Sequence, residues 1–299
     1  MGAAWHVSNS SGLPVAPGAV PDNGENEQGK NAMIGFIGAG QMAQALAKGL
    51  VHSGIFLETE IYASDPSDAA RDAFSTLLPD AQLHVENEKL LSTCQTIVLA
   101  VKPQQMVDVL SPLSESIHES HLVISIAAGI RLSWLAAQTN HQPRLVRVMP
   151  NTPCLVGQGV SCYALGPGAT DEDGAFVNRL LCSVGKAFCV EEAQLDAVTA
   201  LSGSGPAFFC AILESLAAGG EQCGLPLPLA TSLVLQTMQG TAAYLEQTDV
   251  TPGELKRRVS SPGGTTVAGL AALDSGHLDG VLKASVQAAA KRSAELGRA

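Results

Sequence analysis

The sequence predicts an α/β protein, with a doubly wound parallel sheet in its first part and an all-α second part. Three observations carry this. Short, fully apolar runs recur from residue 33 to 149 with helical patterns between them, the signature of parallel strands covered on both faces. A glycine-rich turn follows the first run and opens an amphipathic helix. After about residue 192 the strand rhythm stops and five helical stretches, broken by Gly, Pro or polar residues, run to the end. The 299 residues suffice for two domains of ~150 each.

Taken in order, residues 1–32 are rich in Gly, Pro, Asn and Ser and lack periodicity, so a disordered tail is expected. Pro14, Pro17 and Pro21 interrupt any signal-peptide core, and the tail has no Arg for a presequence; a cytoplasmic location is expected. Strands are expected at 33–38, 60–64, 95–101, 121–126 and 144–149, with helices over 41–53 and 104–117 among the segments between them. Two more short strands are expected near 159–164 and 186–190. Between them Thr170 reads as a helix N-cap, with Asp171 and Glu172 in the first turn and Gly185 beyond the end. Helices follow at 194–223, 227–247, 252–258, 264–276 and 278–297. The domain boundaries expected are a tail 1–32, a nucleotide-binding domain 33–192 and a helical domain 193–299.

The chain is 46% hydrophobic, 15% charged and 4% aromatic, with a mean hydropathy of +0.19. No apolar run is expected to reach the ~20 residues that span a bilayer, so apolar surface is expected between subunits. A net charge of −11 argues against nucleic acid or an anionic membrane as partner. The seven cysteines form no CxxC and read as free thiols of a reducing compartment. With no HExxH motif or Cys/His cluster, no metal site is expected.

Gly38-Ala39-Gly40-Gln41-Met42-Ala43 is a G-x-G-x-x-A fingerprint in the strand-turn-helix context that dinucleotide binding requires. Gly38 permits the turn, Gly40 lets a pyrophosphate approach the backbone, and Ala43 keeps helix and sheet close. Asp65 ends the second strand, 25 positions beyond Gly40. It can accept bonds from an adenosine ribose and repel a 2′-phosphate, which favours NADH; equally, it can cap a helix starting at Pro66. Ala100-Val101-Lys102-Pro103, Ser125-Ile126-Ala127-Ala128-Gly129 and Met149-Pro150-Asn151-Thr152-Pro153 end later strands at the same sheet edge. Leu201-Ser202-Gly203-Ser204-Gly205-Pro206-Ala207 reads as a Gly/Ser loop leading into a helix. Ser260 to Thr266, SSPGGTT, reads as a loop-to-helix cradle for a small carboxylate.

GFIGAGQMA, AVKP, SIAAG, MPNTP, LSGSGPA and PGELK…VSSPGGTT occur in an order and at spacings that resemble the pyrroline-5-carboxylate reductase family, over essentially all of 33–297. The resemblance implies a Rossmann-like nucleotide domain, a helical dimerisation domain, dimers often assembled into decamers of five dimers, and reduction of 1-pyrroline-5-carboxylate to L-proline, the last step of proline biosynthesis, by NAD(P)H. It implies pyrophosphate contacts from Ile37, Gly38, Ala39, Gly40, Gln41 and Met42, and adenosine contacts from Asp65 and Asn87. Ala100, Val101, Lys102 and Pro103 with Ile126, Ala127 and Ala128 would line the nicotinamide side. Glu192, Ser261, Gly264, Thr265 and Thr266 would meet substrate, Thr266 catalytically, and Arg258 would reach the partner subunit's cofactor. Many relatives carry Asn-Arg or Ser near Asp65 and use NADPH, so the resemblance favours NADPH where Asp65 favours NADH. A β-hydroxy-acid dehydrogenase, the main rival, would need a helix lysine in a Gly/Asn-flanked motif, and Lys256, Lys283 and Lys291 lie in none.

Overall fold

The computed structural model describes residues 33–297; the expected tail lies outside them. The chain runs β1 (Ile34–Ile37), α1 (Gln41–His52), β2 (Ile61–Ser64), α2 (Asp68–Leu77), β3 (Gln82–His84), α3 (Glu88–Thr93), β4 (Thr96–Leu99), α4 (Met106–Leu110), β5 (Leu122–Ser125), α5 (Leu132–Gln138) and β6 (Arg144–Met149). It continues with β7 (Gly159–Leu165), α6 (Asp171–Cys182) and β8 (Gly185–Cys189). These strands form one sheet in the order β3-β2-β1-β4-β5-β6-β7-β8. β1 lies between β2 and β4, its Phe36 opposite Ala63 on one side and Val98 on the other.

Alternation along the strands divides the core into two layers. Ile34 and Phe36 face α1, α2 and α6 through Leu46, Phe74 and Val177, whereas Ile37 and Leu99 face α3, α4 and α5 through Leu90, Met106 and Leu135. Each side chain of this size, fully buried, contributes about 1.5–3 kcal/mol. Thr170 caps α6 with a capping box: its hydroxyl accepts from Asp173 N at 3.2 Å and the Asp173 carboxylate accepts from Thr170 N at 2.9 Å.

Several expectations need correction. β3 has no counterpart among the expected strands, because Gln82-Leu83-His84 is a short, half-polar edge strand with one neighbour and no apolar run. β7 runs antiparallel to β6; the connection between them is a 3₁₀ turn, Thr152–Val156, too short for a parallel crossover. The helix expected over 104–117 is broken into 3₁₀, α4 and 3₁₀ pieces, because Pro112 lacks the N–H that would continue it. The helix after β2 starts at Asp68 with Ser67 as its cap, two residues later than Pro66 suggests. Gly185 lies beyond the end of α6, as expected, and begins β8; the C-cap of α6 is Ser183.

Beyond the sheet come α7 (Leu195–Val198), a π turn (Thr199–Gly203), α8 (Gly205–Gln222), α9 (Leu227–Gln247), α10 (Pro252–Arg258), α11 (Thr265–Ser275) and α12 (Leu278–Leu296). LSGSGPA is therefore helical rather than a loop. Glu192–Gln222 forms a helical stretch of 31 residues that contains an 18-residue window of mean hydropathy 1.3, enough by length and composition alone to cross a membrane. α12 folds back against α7 and the π turn, where the buried Ser293 hydroxyl donates to Asp196 Oδ1 at 2.7 Å. The outer faces of α8 and α9 expose Phe209, Leu216, Leu233 and Leu235, each at least half accessible.

Candidate active site

The strand order reverses between β1 and β4, and ligands of open α/β sheets bind in the crevice at the carboxyl ends of such strands. Gly38 turns the chain there with φ +99°, and a Cβ at this position would meet the Ala100 backbone at 2.9 Å. Gly38 N donates to Ser64 O and Ala100 N to Ile37 O, both at 2.8 Å, which holds the turn against β2 and β4. Gly40 differs: a Cβ there would meet nothing within 4 Å. It is the N-cap of α1 and supplies no side-chain cap. The first-turn N–H groups of a 12-residue helix are thus free for an anion, with open space above them.

A cavity of about 590 Å³ opens over this helix end. It is lined by Gly40, Gln41 and Met42, by Ala100 to Pro103 after β4, and by Ile126 to Ala128 after β5. Met149 to Thr152 after β6, with Leu155 and Gly203, complete the wall. The first three groups are those expected from sequence. Asn151 and Gly203 are not among the expected site residues, although MPNTP and LSGSG are visible as motifs. Lys102 is the one charged side chain among the lining residues, and it is exposed. Ile37, Gly38 and Ala39 lie beneath the turn rather than on the cavity wall.

Asp65 and Asn87 both bond at the end of β2, beside the glycine turn. The Asp65 carboxylate accepts from Ala39 N at 3.0 Å through Oδ2 and from Ser67 N at 2.9 Å through Oδ1. It does not cap α2; it ties the β2 turn to the glycine turn, and each oxygen retains a further lone pair. Arg71 Nη1 donates to Asp65 O at 2.6 Å. Asn87 Oδ1 accepts from the buried Ser64 hydroxyl at 2.7 Å.

The SSPGGTT segment is a separate construction. Gly264 N donates to Ser261 O at 2.9 Å, closing a turn with Pro262 and Gly263 at its centre and Gly263 at φ +69°. Gly264 is the uncapped N-terminal residue of α11, so the N–H groups of Thr265 and Thr266 point out of the first turn. Thr265 is exposed and Thr266 half-buried. No residue of this segment lines the 590 Å³ cavity. Arg258 ends α10, exposed, with Nη2 2.6 Å from Glu254 Oε1; that hydrogen bond and charge push its pKa up. Glu192 stands apart from both groups: its Oε1 accepts from Leu132 N at 2.7 Å and from Arg147 Nη1 at 3.1 Å. Among the described residues no cluster of three His, Cys, Asp or Glu is placed to hold a metal.

A free helix N-terminus under a glycine turn, a crevice at the switch point and an appended helical domain define a dinucleotide-dependent oxidoreductase. Residues 33–129 match a family model described as NADP oxidoreductase, coenzyme F420-dependent, and residues 192–296 match one described as pyrroline-5-carboxylate reductase dimerisation. A pyrroline-5-carboxylate reductase of Glycine max is 42% identical over 88% of this chain and 95% of its own length. A solved pyrroline carboxylate reductase of Plasmodium falciparum with NADP bound superposes with a TM-score of 0.80 at 33% identity, over 89% of this chain and 98% of that one. One from Coxiella burnetii gives a TM-score of 0.84 at 32% identity, over 89% and 99%. The chain belongs to the pyrroline-5-carboxylate reductase family. It uses a nicotinamide dinucleotide and forms a homo-oligomer, and the apolar Glu192–Gln222 stretch falls inside the dimerisation match.

Proposed function

We propose that this chain works as a homodimer in which the cavity of one subunit meets the SSPGGTT turn of the other, and that it prefers NADH. The chain reduces the C=N bond of 1-pyrroline-5-carboxylate to L-proline, the reaction of its family. One observation carries the shared site: among the described residues the cavity is walled by residues up to Gly203 and none of the uncapped α11 terminus, while α8 and α9 expose apolar side chains. A second copy supplies the missing substrate wall. Five such dimers closing into a decamer is the larger assembly the family resemblance favours; light scattering on the purified chain reads the mass directly.

In this reading Ala100 to Pro103 and Ile126 to Ala128 would hold the nicotinamide ring, which when bound would supply hydride for the imine carbon. The α1 N-terminus and Gly40 hold the pyrophosphate. The partner's α11 terminus holds the substrate carboxylate on its free N–H groups, and the Thr266 hydroxyl bonds the ring nitrogen, orienting it and relaying a proton. An iminium carbon is already electrophilic, so positioning and electrostatics carry most of the rate. Glu192, whose Oε1 is held by Arg147 and Leu132 N, meets substrate through its other carboxylate oxygen.

Asp65 supports the NADH preference, since a carboxylate directly after the second strand can accept from a ribose hydroxyl and repels a 2′-phosphate. The seven cysteines are free, which supports a reducing, cytoplasmic compartment. The decisive experiment is a steady-state assay of Thr266→Ala with each cofactor. Losing one hydrogen bond to a charged group predicts a fall in kcat/KM of about 10- to 100-fold with unchanged melting. Normal turnover and substrate affinity in that variant would remove Thr266 from the mechanism.

A further inference from the structure

Pro206 sits in the first turn of α8, directly after the π turn. A regular helix would give Ser202 O the N–H of residue 206, and proline has none. Ala207 N donates instead to Ser204 O at 3.0 Å, and Ser204 N closes the π turn on Thr199 O at 2.9 Å. The Ser202 carbonyl is therefore left without a helical donor. Asn151 supplies one: its Nδ2 donates to Ser202 O at 3.3 Å, while its Oδ1 accepts from Val160 N at 2.9 Å. Asn151 is only 9% exposed, so both ends of its amide are committed inside the protein.

This amide joins the two halves of the chain at the cavity. Asn151 belongs to the loop after β6, and Gly203, next to Ser202, forms the facing wall. The fit there is close: a Cβ on Gly203 would meet Met149 Cε at 2.5 Å. π turns concentrate at functional sites because they re-aim backbone without breaking a helix.

We propose that Asn151 is a positioning residue for hydride transfer: by bonding the carbonyl that Pro206 leaves open, it fixes the Gly203 wall against the Met149–Thr152 loop and sets the width of the cavity where the imine meets the nicotinamide. The inference rests on that cavity holding the nicotinamide. The adenosine end, built on Asp65 and Asn87, is independent of Asn151, so the kinetic effect falls on kcat. A misplacement of about 1 Å costs up to about 100-fold in rate.

The test uses the full-length purified chain as wild type, Asn151→Ala, Pro206→Ala and the double variant, with kcat, KM for cofactor and substrate, cofactor binding and thermal melting measured for each. Asn151→Ala is expected to lower kcat by about 10- to 100-fold and leave the cofactor KM within about 3-fold. In the double variant the N–H that alanine restores in place of Pro206 satisfies Ser202 O, so melting recovers the part lost at that carbonyl, with Val160 N still lacking its acceptor, while kcat stays at least about 10-fold below that of Pro206→Ala. If the double variant regains the kcat of Pro206→Ala, Asn151 merely satisfies a carbonyl and the positioning role is wrong. Wild-type kcat in Asn151→Ala, or a loss of kcat/KM in that variant arising wholly from a raised cofactor KM, overturns it too. Absence of cofactor binding by the wild type would instead overturn the cavity assignment itself.

Discussion

The Asp65 carboxylate accepts the Ala39 N–H at 3.0 Å, so the residue that ends the second strand also holds the glycine turn that ends the first. One side chain thereby serves turn geometry and, in the function we propose, cofactor choice as well. Asp65→Asn separates the two roles, because the amide oxygen keeps the acceptor for Ala39 N, at the loss of the one for Ser67 N, and the charge is removed. The ratio of kcat/KM for NADPH over NADH should rise at least about 10-fold, about 1.4 kcal/mol, read from parallel steady-state assays. An unchanged ratio would show that the charge does not select the cofactor.

Gly38 and Gly40 share a motif and should fail differently. Gly38→Ala forces a side chain into φ +99° against the Ala100 backbone, and melting should fall by the equivalent of about 1–3 kcal/mol. Gly40→Ala meets no protein atom within 4 Å, so melting should hold while the new methyl group obstructs the pyrophosphate. A cofactor KM raised about 10-fold or more is expected, and calorimetric titration of cofactor checks it.

Arg147 is 5% exposed and Glu192 is its carboxylate partner. Glu192→Ala leaves a buried guanidinium and the Leu132 N–H without an acceptor. A loss of about 2–4 kcal/mol follows, somewhat below a fully buried pair because Glu192 is partly solvated. Glu192→Gln, which keeps the acceptor, should lose roughly half as much. Urea unfolding at fixed subunit concentration distinguishes the two; equal stability of both variants with wild type would deny the pair any structural role.

Burial pushes the Cys94 thiol from 9.0 up to about 12. The native thiol then keeps a proton that the unfolded one has lost, so stability is whole below pH 9 and drains as pH rises from 9 towards 12. Cys94→Ala should flatten this alkaline fall by up to about 1.4 kcal/mol per pH unit, measured as the slope of unfolding free energy against pH. Identical slopes would mean the thiol ionises freely in the native state.

Much of this was legible in the chain. Apolar runs such as Ile34–Ile37 and Leu122–Ser125 announce buried parallel strands because both of their faces are covered, and G-x-G-x-x-A announces the cofactor end because only glycine tolerates the turn and the close approach. β3 was hidden because an edge strand needs no apolar run, and the direction of β7 because it depends on how the chain closes after Met149. The Asp65–Ala39 bond, the Arg147–Glu192 pair and the Asn151–Ser202 bond join residues 26 to 51 positions apart, and local pattern carries no information about such pairs.

The sequence by itself determined the fold class, the nucleotide turn and the family, since these follow from periodicity and from motifs whose backbone conformations only a few residue types allow. Tertiary structure alone decided that the SSPGGTT turn does not line its own subunit's cavity, that Asp65 braces the glycine turn, and that LSGSG is a π turn held by Asn151. The physical reason is the same in each case: these relationships depend on distances set by packing of elements far apart in the chain, and packing is a property of the whole core rather than of any segment in it.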